Sequence, residues 1–399
     1  MGSHRRVVAA MAFSTGAVVA NLYYAQPLED TLASAFHAST GAVGLVITLI
    51  QIGYAIGLAT LVPLGDLLER RKLLVTLLAV TVAGLVVMAT APSLAVLGSA
   101  AVLVGITSVA AQIVVPFAAH IAEEGQQGRV VGTVMSGLLI GILISRTVSG
   151  LVAQVSSWRA VFVLGAVLTA VVAGLLWREL PKLEPTVRMK YPTLLASVLR
   201  LVREEPTLRL RMVYGGLVFA SFSVFWTSSG FLLARTYHWN DAAIGLFALV
   251  GAAGAVAARF AGKLADWGHA RLATGGFIGI AALSYGLIAL GGHSIIALAI
   301  GVALLDLGVQ GTQISNQSLI YRLRGDARSR LNTAYMTCYF VFGSIGSGLS
   351  AAVYSMDGWN GVCLLGAAFV VVGVLIWAVE MLRRRRSAEQ PELSAASAG

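Results

Sequence analysis

The chain has 399 residues, of which 12% are charged and 57% hydrophobic, and its mean hydropathy is +0.83. A soluble domain averages about a quarter charged residues, so this composition excludes an ordinary soluble domain and indicates an integral membrane protein. The net charge of +10 arises from short basic clusters between apolar runs, a placement that argues against a nucleic-acid partner. The two cysteines, Cys338 and Cys363, lie inside apolar runs and predict neither a disulfide framework nor a metal site.

Apolar runs of membrane-spanning length recur along the whole chain. About 20 apolar residues cross a bilayer as a helix, and a backbone in lipid must satisfy its own hydrogen bonds. The runs therefore predict an all-α membrane protein with twelve transmembrane helices, which we number as spans. Their approximate bounds are 7–26, 41–62, 73–91, 94–118, 130–154, 159–177, 212–234, 242–261, 272–291, 294–320, 331–355 and 359–381.

The basic residues predict the orientation of these spans. With the N-terminus in the cytoplasm, all but three of the 28 Lys and Arg residues fall in cytoplasmic segments, in agreement with the positive-inside rule. The exceptions are Arg159 and Arg235 at the outer side and Arg146 within span five. An even number of spans returns the C-terminus to the cytoplasm. The first span has no signal-peptide cleavage site after it, so we interpret it as retained.

A polar segment divides the spans into two groups of six. Within it, apolar residues recur at helical spacing between Thr193 and Arg203, which predicts either a short amphipathic helix on the inner membrane surface or a solvated linker. The tail after Arg386 is polar and is expected to be disordered. The predicted units are an N-terminal bundle (1–177), a cytoplasmic linker (178–211), a C-terminal bundle (212–382) and a tail (383–399).

The two halves of the chain repeat one another. The segment from Pro63 to Lys72 has a counterpart from Gly262 to Arg271, with Asp66 and Asp266 at the same place in each. Two parallel six-helix repeats joined by a long linker are typical of transporters whose substrate site lies at the repeat interface.

On these features the chain resembles the major facilitator superfamily over essentially its whole length. The segment between spans two and three is similar to that family's signature G-x-x-x-D-R-x-G-R-R/K, although three other positions of the signature differ. In the family this loop holds the two halves together on the cytoplasmic side of the outward-facing state. The resemblance therefore implies a conformational latch formed by Asp66, Arg70, Arg71, Asp266 and Arg271.

Span five resembles the signature of drug:proton antiporters, a glycine series that ends in G-P-x-x-G-G. Gly137, Gly141 and Gly150 keep the glycine spacing, but Ser145-Arg146 stands where Gly-Pro is usual, and span four lacks the usual R-x-x-Q-G. The resemblance implies a bacterial inner-membrane exporter whose coupling residues differ from those of better-known members. Three further segments resemble bacterial efflux permeases near sugar and multidrug exporters: Asn21–Pro27, Gln51–Tyr54 and Leu305–Gln310.

Two charges lie at membrane depth, where an ionisable residue is a functional candidate by default. Asp306 lies near the midplane of span ten, and we interpret it as the proton-coupling or cation-binding carboxylate. A structural Asp that holds a neighbouring helix is the alternative. Arg146 lies in span five, which faces span ten in this family's fold, so we expect an ion pair with Asp306 in one state. The alternative for Arg146 is packing at the half-to-half interface.

Polar and aromatic residues accompany these charges. Asp306, Gln310, Gln313 and Gln317 share one face of span ten, and a polar face within a membrane indicates a cavity. Hydrogen-bonding groups mixed with aromatic rings suit a neutral or amphipathic organic substrate, although helix packing is the better explanation of any single one of them. The predicted substrate-binding residues are Asn21, Tyr24, Gln51, Tyr54, Gln112, Trp226, Gln310, Gln313, Gln317, Tyr335 and Tyr339.

The sequence contains no Walker loop and no metalloprotease motif. We therefore predict a gradient-driven transporter that is not an enzyme and needs no metal or cofactor. We expect a monomer in the lipid bilayer that exports a drug, sugar or metabolite in exchange for protons by alternating access. Two alternatives stay open: proton-coupled uptake of an anionic metabolite bound by Arg146, and a non-transporting receptor or lipid-handling protein on the same fold.

Overall fold

A computed structural model describes residues 2–122, 126–183, 185, 189–252, 254, 264, 267, 269–324 and 327–396. Nearly all of these residues are helical, and no strand occurs among them. The predicted all-α class is therefore confirmed. Buried apolar side chains form two main clusters, one centred on the first half of the chain and one on the second.

The first half contains eight α-helices. A single 3₁₀ turn, Gln26–Leu28, separates the first two of them. Their bounds are α1 (Gly2–Ala20), α2 (Glu29–Ala35), α3 (Thr40–Leu67), α4 (Arg70–Ala89), α5 (Leu94–Thr107), α6 (Ala110–Ile121), α7 (Gln127–Val155) and α8 (Trp158–Glu179).

The linker and the second half contain six further α-helices among the described residues. A 3₁₀ turn, Ala248–Ala252, follows the third of them. Their bounds are α9 (Tyr191–Glu204), α10 (Pro206–Thr236), α11 (Asp241–Phe247), α12 (Ala270–Ala289), α13 (Ile295–Ile320) and α14 (Arg328–Ala396).

These helices fit a twelve-span, two-bundle arrangement. Within the described ranges, nine helical stretches are long and apolar enough to cross a membrane. Helices α5 and α6 together correspond to span four, and α11 begins span eight. Helix α14 contains spans eleven and twelve, separated by a break at Gly358, whose φ of 62° favours glycine.

The structure differs from the sequence-based prediction at two places. Helix α1 ends at Ala20 and the chain continues in turns through Ala25, whereas span one is predicted to run to residue 26. Helix α14 continues to Ala396, where a disordered tail is predicted from residue 383. Ala and Glu recur in that tail, and both have high helix propensity.

Serine and asparagine caps mark the beginning of five spans. The side chains of Ser39, Ser93, Ser157, Asn240 and Ser294 each accept a hydrogen bond from a backbone N–H three residues later. Such a cap stabilises a helix by about 1 kcal/mol. These caps begin spans two, four, six, eight and ten, all at the same end of the bundle.

The bundle therefore has two distinct ends. Helix α3 has 28 residues, about 42 Å at 1.5 Å per residue, so its first residue and Asp66 lie at opposite ends. We call the end with Asp66 the basic face; there Arg71 donates hydrogen bonds to the carbonyl oxygens of Trp177 and Leu180. We call the opposite end, with α2 and the start of α11, the gate end.

The linker helix α9 packs on the basic face and touches both halves. Its Leu194 and Leu201 are buried, and the Tyr191 hydroxyl donates a hydrogen bond to the carbonyl oxygen of Thr60 in the first half. At the C-terminal end of α9, Glu204 and Glu205 pair with Arg324 of the second half at 3.1 and 2.8 Å. The amphipathic segment thus forms a packed helix between the halves.

Candidate functional site

A cavity of roughly 120 Å³ lies between the two halves. Helices α7, α10 and α13 and the turn at Ala248–Ala252 surround it, and the residues that line it include Arg146, Asp306, Gln310 and Phe222. Arg146 is 4% exposed and Asp306 is 6% exposed. The structure therefore brings the two predicted coupling residues into one cavity at the repeat interface.

Aromatic rings and one amide stabilise the buried Arg146 guanidinium. Its Cζ atom lies 4.6 Å from the ring centroid of Tyr23 and 4.3 Å from that of Trp226. Its Nε–H donates a 2.5 Å hydrogen bond to Oε1 of Gln26. Each desolvated cation–π contact contributes about 2 kcal/mol, which offsets part of the cost of burying the charge. Nη2 is buried and has no hydrogen-bond partner.

The Asp306 carboxylate is also incompletely satisfied. Its Oδ1 and the neighbouring Trp226 indole nitrogen are buried without a hydrogen-bond partner. Oδ2 lies against Gly251, where an added Cβ would overlap it. No salt bridge joins Asp306 to Arg146 among the contacts of the described residues, so the expected ion pair is not formed in this conformation. Both charges thus keep binding capacity for a ligand or a proton.

The end of α1 decides which span-one side chains reach this cavity. Because the helix gives way to turns at Asn21, Tyr23 and Gln26 contact Arg146. Asn21 instead donates a hydrogen bond to Thr169 of α8, and the Tyr24 carbonyl oxygen accepts one from Ser149. The structure therefore places Asn21 and Tyr24 in the packing of the first half.

A smaller crevice lies beside the cavity. Gln51 and Tyr54 border it together with Tyr23 and Phe222. The Gln51 side-chain oxygen accepts a 3.3 Å hydrogen bond from Ser223 across the two halves, and the Tyr54 ring packs on Phe340 at a centroid distance of 4.4 Å. Phe222 borders both the crevice and the cavity, and its ring centroid lies 6.1 Å from that of Trp226. Gln112, in α6, lines neither space.

The polar face of span ten divides between the cavity and α14. Asp306 and Gln310 line the cavity, whereas Gln313 accepts a 3.5 Å hydrogen bond from Tyr339. Gln317 donates a 3.4 Å hydrogen bond to Asn332. Tyr335 accepts a 3.5 Å hydrogen bond from Asn316. Gln313, Gln317, Tyr335 and Tyr339 therefore hold α13 against α14 in this conformation.

The predicted latch residues of the first half contact only that half in the described part of the chain. Arg70 pairs with Asp66 at 3.0 Å and donates to the Gly65 carbonyl oxygen at 2.8 Å. Arg71 caps the end of α8 as described above and stacks on Trp177 at 4.7 Å. The carbonyl oxygen of Arg271 accepts a hydrogen bond from Trp377. Asp266 lies outside the described residues.

Several contacts between described residues join the two halves at the gate end. Thr31 donates hydrogen bonds of 2.7 and 2.9 Å to the Asp241 carboxylate. Asp30 pairs with Arg235 at 3.1 Å. The Thr147 hydroxyl donates to the Gly245 carbonyl oxygen at 2.8 Å. The described conformation is therefore closed at the gate end. Within the described ranges, no three His, Cys, Asp or Glu residues come together as a metal site would require.

Comparison with known proteins identifies the family. The model of the Major Facilitator Superfamily matches residues 8–347 and 212–397. The "Uncharacterized transporter YgaY" of Escherichia coli O157:H7 is 46% identical over 372 residues, which cover 93% of this chain and 94% of that protein. The "Probable transporter SCO4007" of Streptomyces coelicolor is 34% identical over 379 residues, which cover 94% of this chain and 87% of that protein.

Solved structures share the fold at low sequence identity. The nucleoside transporter NupG, solved as a mutant, superposes with a TM-score of 0.76 at 12% identity and covers 94% of this chain and 99% of its own. A bacterial homologue of the human lysosomal transporter Spinster was solved in an inward-facing, unoccupied conformation. It superposes with a TM-score of 0.74 at 15% identity and covers 96% of this chain and 97% of its own. The chain is a multi-pass membrane transporter that belongs to the major facilitator superfamily.

Proposed function

We propose that this transporter exports a small organic molecule across a bacterial inner membrane in exchange for protons. One observation carries the proposal: Asp306 and Arg146 line a single inter-half cavity, and each keeps a buried polar atom without a hydrogen-bond partner. Ionisable groups at membrane depth mark ion or substrate pathways. A carboxylate supplies the proton site, and the guanidinium supplies a fixed positive charge beside it.

The proposed cycle uses the two ends of the bundle alternately. Among the described residues, the Thr31–Asp241, Asp30–Arg235 and Thr147–Gly245 contacts join the halves at the gate end. In this proposal the cavity therefore exchanges with the compartment at the basic face, which we assign to the cytoplasm. There Asp306 releases its proton and substrate enters. After the gate end opens, an outside proton neutralises Asp306 and the substrate leaves. Neutralising the carboxylate removes the cost of enclosing an unpaired charge, which favours the return.

The cavity lining indicates the substrate class. Phe222 offers aromatic surface and Gln310 an amide group, beside the apolar side chains of α7. Tyr23, Trp226 and Gln26 contact Arg146 next to the cavity. Such a mixture suits an amphipathic organic molecule with a few polar groups. The cavity of roughly 120 Å³ indicates a compact substrate, or one that enlarges the space as the halves separate.

A second candidate is proton-coupled uptake of an anionic metabolite. The unpartnered Nη2 of Arg146 favours it, because a guanidinium binds a carboxylate or phosphate through paired N–H donors. In that case substrate and proton move in the same direction, and the anion takes the place that Asp306 would otherwise occupy beside Arg146.

Liposomes with an internal pH dye distinguish these functions. A substrate gradient is imposed from a panel of cationic dyes, sugars, amino acids and organic anions. Proton movement opposite to substrate supports export by antiport, and movement in the same direction supports uptake. The Asp306→Asn variant should lose proton movement in either case. Asp357→Asn, at an exposed carboxylate in the same half, is the matched control and should retain it. Binding without flux would contradict both.

A further inference from the structure

A second carboxylate is buried at the gate end, away from the cavity. Glu29 is the first residue of α2 and is fully buried. Neither of its carboxylate oxygens has a hydrogen bond of regular geometry, and the backbone N–H of Phe231 is the group that favours its ionised form. A buried ionised carboxylate without a salt-bridge partner is strongly destabilising. The burial of Glu29 in the closed gate end therefore requires a physical explanation.

Glu29 lies at the contact between the two halves. Its Oε2 faces Gly230 of α10, where an added Cβ would lie 2.7 Å from that oxygen and 3.1 Å from the Gln26 carbonyl oxygen. Only a glycine allows α10 to approach this closely. Closing the gate end therefore places the second half directly over the Glu29 carboxylate and removes water from it.

The charged groups around Glu29 are already committed to other partners. Arg235 pairs with Asp30 at 3.1 Å, and both side chains are substantially exposed. Asp241 accepts two hydrogen bonds from Thr31. Tyr354 of α14 stacks on Phe231 of α10 at 5.4 Å, and α3 carries no Asp, Glu, His, Lys or Arg before Asp66. No cation among the described residues forms a salt bridge with Glu29 when the gate end is closed.

We propose that Glu29 is a second proton-binding site: it takes up a proton as the gate end closes and releases it when the halves separate there. A protonated carboxyl carries no charge, so its burial against Gly230 is tolerated. Gln26 connects this site to the cavity, because its side chain accepts the Arg146 hydrogen bond while its backbone oxygen lies beside Gly230. If the turn that contains Gln26 moves when the gate end opens, both the Glu29 site and the cavity are displaced.

The direction of the pH effect follows from linkage. Burial raises the pKa of Glu29 well above its usual range, the Phe231 backbone N–H opposes this rise, and Asp30 adds to it. In the open state the exposed carboxyl returns toward about 4.3. The closed state therefore holds the proton more tightly. Below the open-state pKa, Glu29 is protonated in both states and the ratio of closed to open protein is at its maximum. Between the two pKa values this closed-to-open ratio falls by up to tenfold per pH unit.

Spin-label distances across the gate end test this. Labels are placed at Ser34→Cys and Thr236→Cys, both exposed and in opposite halves, after Cys338 and Cys363 are replaced by Ala. We expect the short distance at low pH and a growing long-distance fraction as pH rises. Glu29→Gln should keep the short distance at every pH, because the amide mimics the protonated acid. Asp357→Asn, which changes an exposed carboxylate outside these gate contacts, should keep the wild-type response.

An infrared measurement provides a second readout that does not depend on the labels. Near neutral pH the carbonyl band of a protonated carboxylic acid should weaken in Glu29→Gln and persist in Asp357→Asn. A pH response of the distances that survives in Glu29→Gln, or a band that Glu29→Gln leaves unchanged, would overturn the assignment.

The role of Glu29 in transport rests on the proposed proton-coupled function, but both measurements use substrate-free protein. Asp306→Asn should therefore leave the gate response of Glu29 intact, and that variant tests the coupling assignment separately. If the gate distances of the wild-type protein did not respond to pH while its proton-coupled flux was intact, the Glu29 site would be rejected and the proposed function would stand.

Discussion

Replacing Gly245 with Ala should open the gate end. Gly245 lies in α11, and an added Cβ there would be 2.5 Å from the Arg146 carbonyl oxygen and 3.1 Å from the Thr147 Cα atom. Both atoms belong to the backbone of α7 in the other half, so no side-chain rotation relieves the overlap. The two helices must separate, and the Thr147 hydrogen bond to the Gly245 carbonyl oxygen lengthens with them.

The size of the effect follows from the cost of overpacking. An extra methyl group in a well-packed site destabilises it by about 1–3 kcal/mol. Only the gate-closed state has this contact, so the whole cost acts on the closed-to-open equilibrium. At 1.4 kcal/mol for each factor of ten, the closed-to-open ratio should fall by about 5- to 150-fold. Alanine also favours helix over glycine in both states, which leaves the ratio unchanged.

The Ser34→Cys and Thr236→Cys label pair measures this ratio directly. Gly276→Ala is the matched control, because an added Cβ at Gly276 meets no atom within 4 Å. The long-distance fraction should rise in Gly245→Ala and stay at its original value in Gly276→Ala. Identical distance distributions in the two variants would show that the α7–α11 approach does not hold the gate end closed.

Three substitutions test the site and the latch. Asp306→Asn should abolish proton-driven accumulation, so that the substrate ratio across the liposome membrane falls to one, while substrate exchange continues; accumulation against a gradient would contradict the coupling role. Arg146→Lys keeps the charge but removes the unpartnered Nη2 donor. Because a hydrogen bond to a charged group contributes about 1.5–3 kcal/mol, substrate affinity measured by calorimetry should fall about 10- to 150-fold. An unchanged affinity would exclude Arg146 from substrate binding. Asp66→Ala should slow turnover with little effect on affinity, and an unchanged turnover rate in stopped-flow flux measurements would remove the latch role.

The fold was largely predictable from the sequence because one physical constraint dominates it. A backbone in lipid must form helices, so each apolar run between Arg and Lys clusters becomes a span. The repeat of Asp66 at Asp266 then indicates two bundles. The break at Gly358 also matches a predicted boundary between spans. Where that constraint relaxes, at the end of α1 and in the tail, the predicted limits are shifted.

The cavity was only partly predictable, for a geometric reason. Asp306 and Arg146 stand out because charges are rare at membrane depth. Their neighbours depend on helical phase, and the change from helix to turns at Asn21 alters that phase. Tyr23 thereby reaches Arg146 while Tyr24 packs in the first half. No pattern in residues 21–26 distinguishes these two tyrosines, and the role of Gly251 beside Asp306 likewise appears only once the helices are in contact.

The burial of Glu29 changes what the acidic residues after span one indicate. In the sequence, Glu29 and Asp30 are adjacent carboxylates at a span end, where solvation is the ordinary expectation. In the structure Asp30 is partly exposed and pairs with Arg235, whereas Glu29 is covered by the second half. A carboxylate that is exposed in one state and enclosed in the other couples proton binding to that motion whatever the substrate is. Asp306 at the cavity and Glu29 at the gate end would then bind protons at successive stages of one cycle, and Gln26 lies between them.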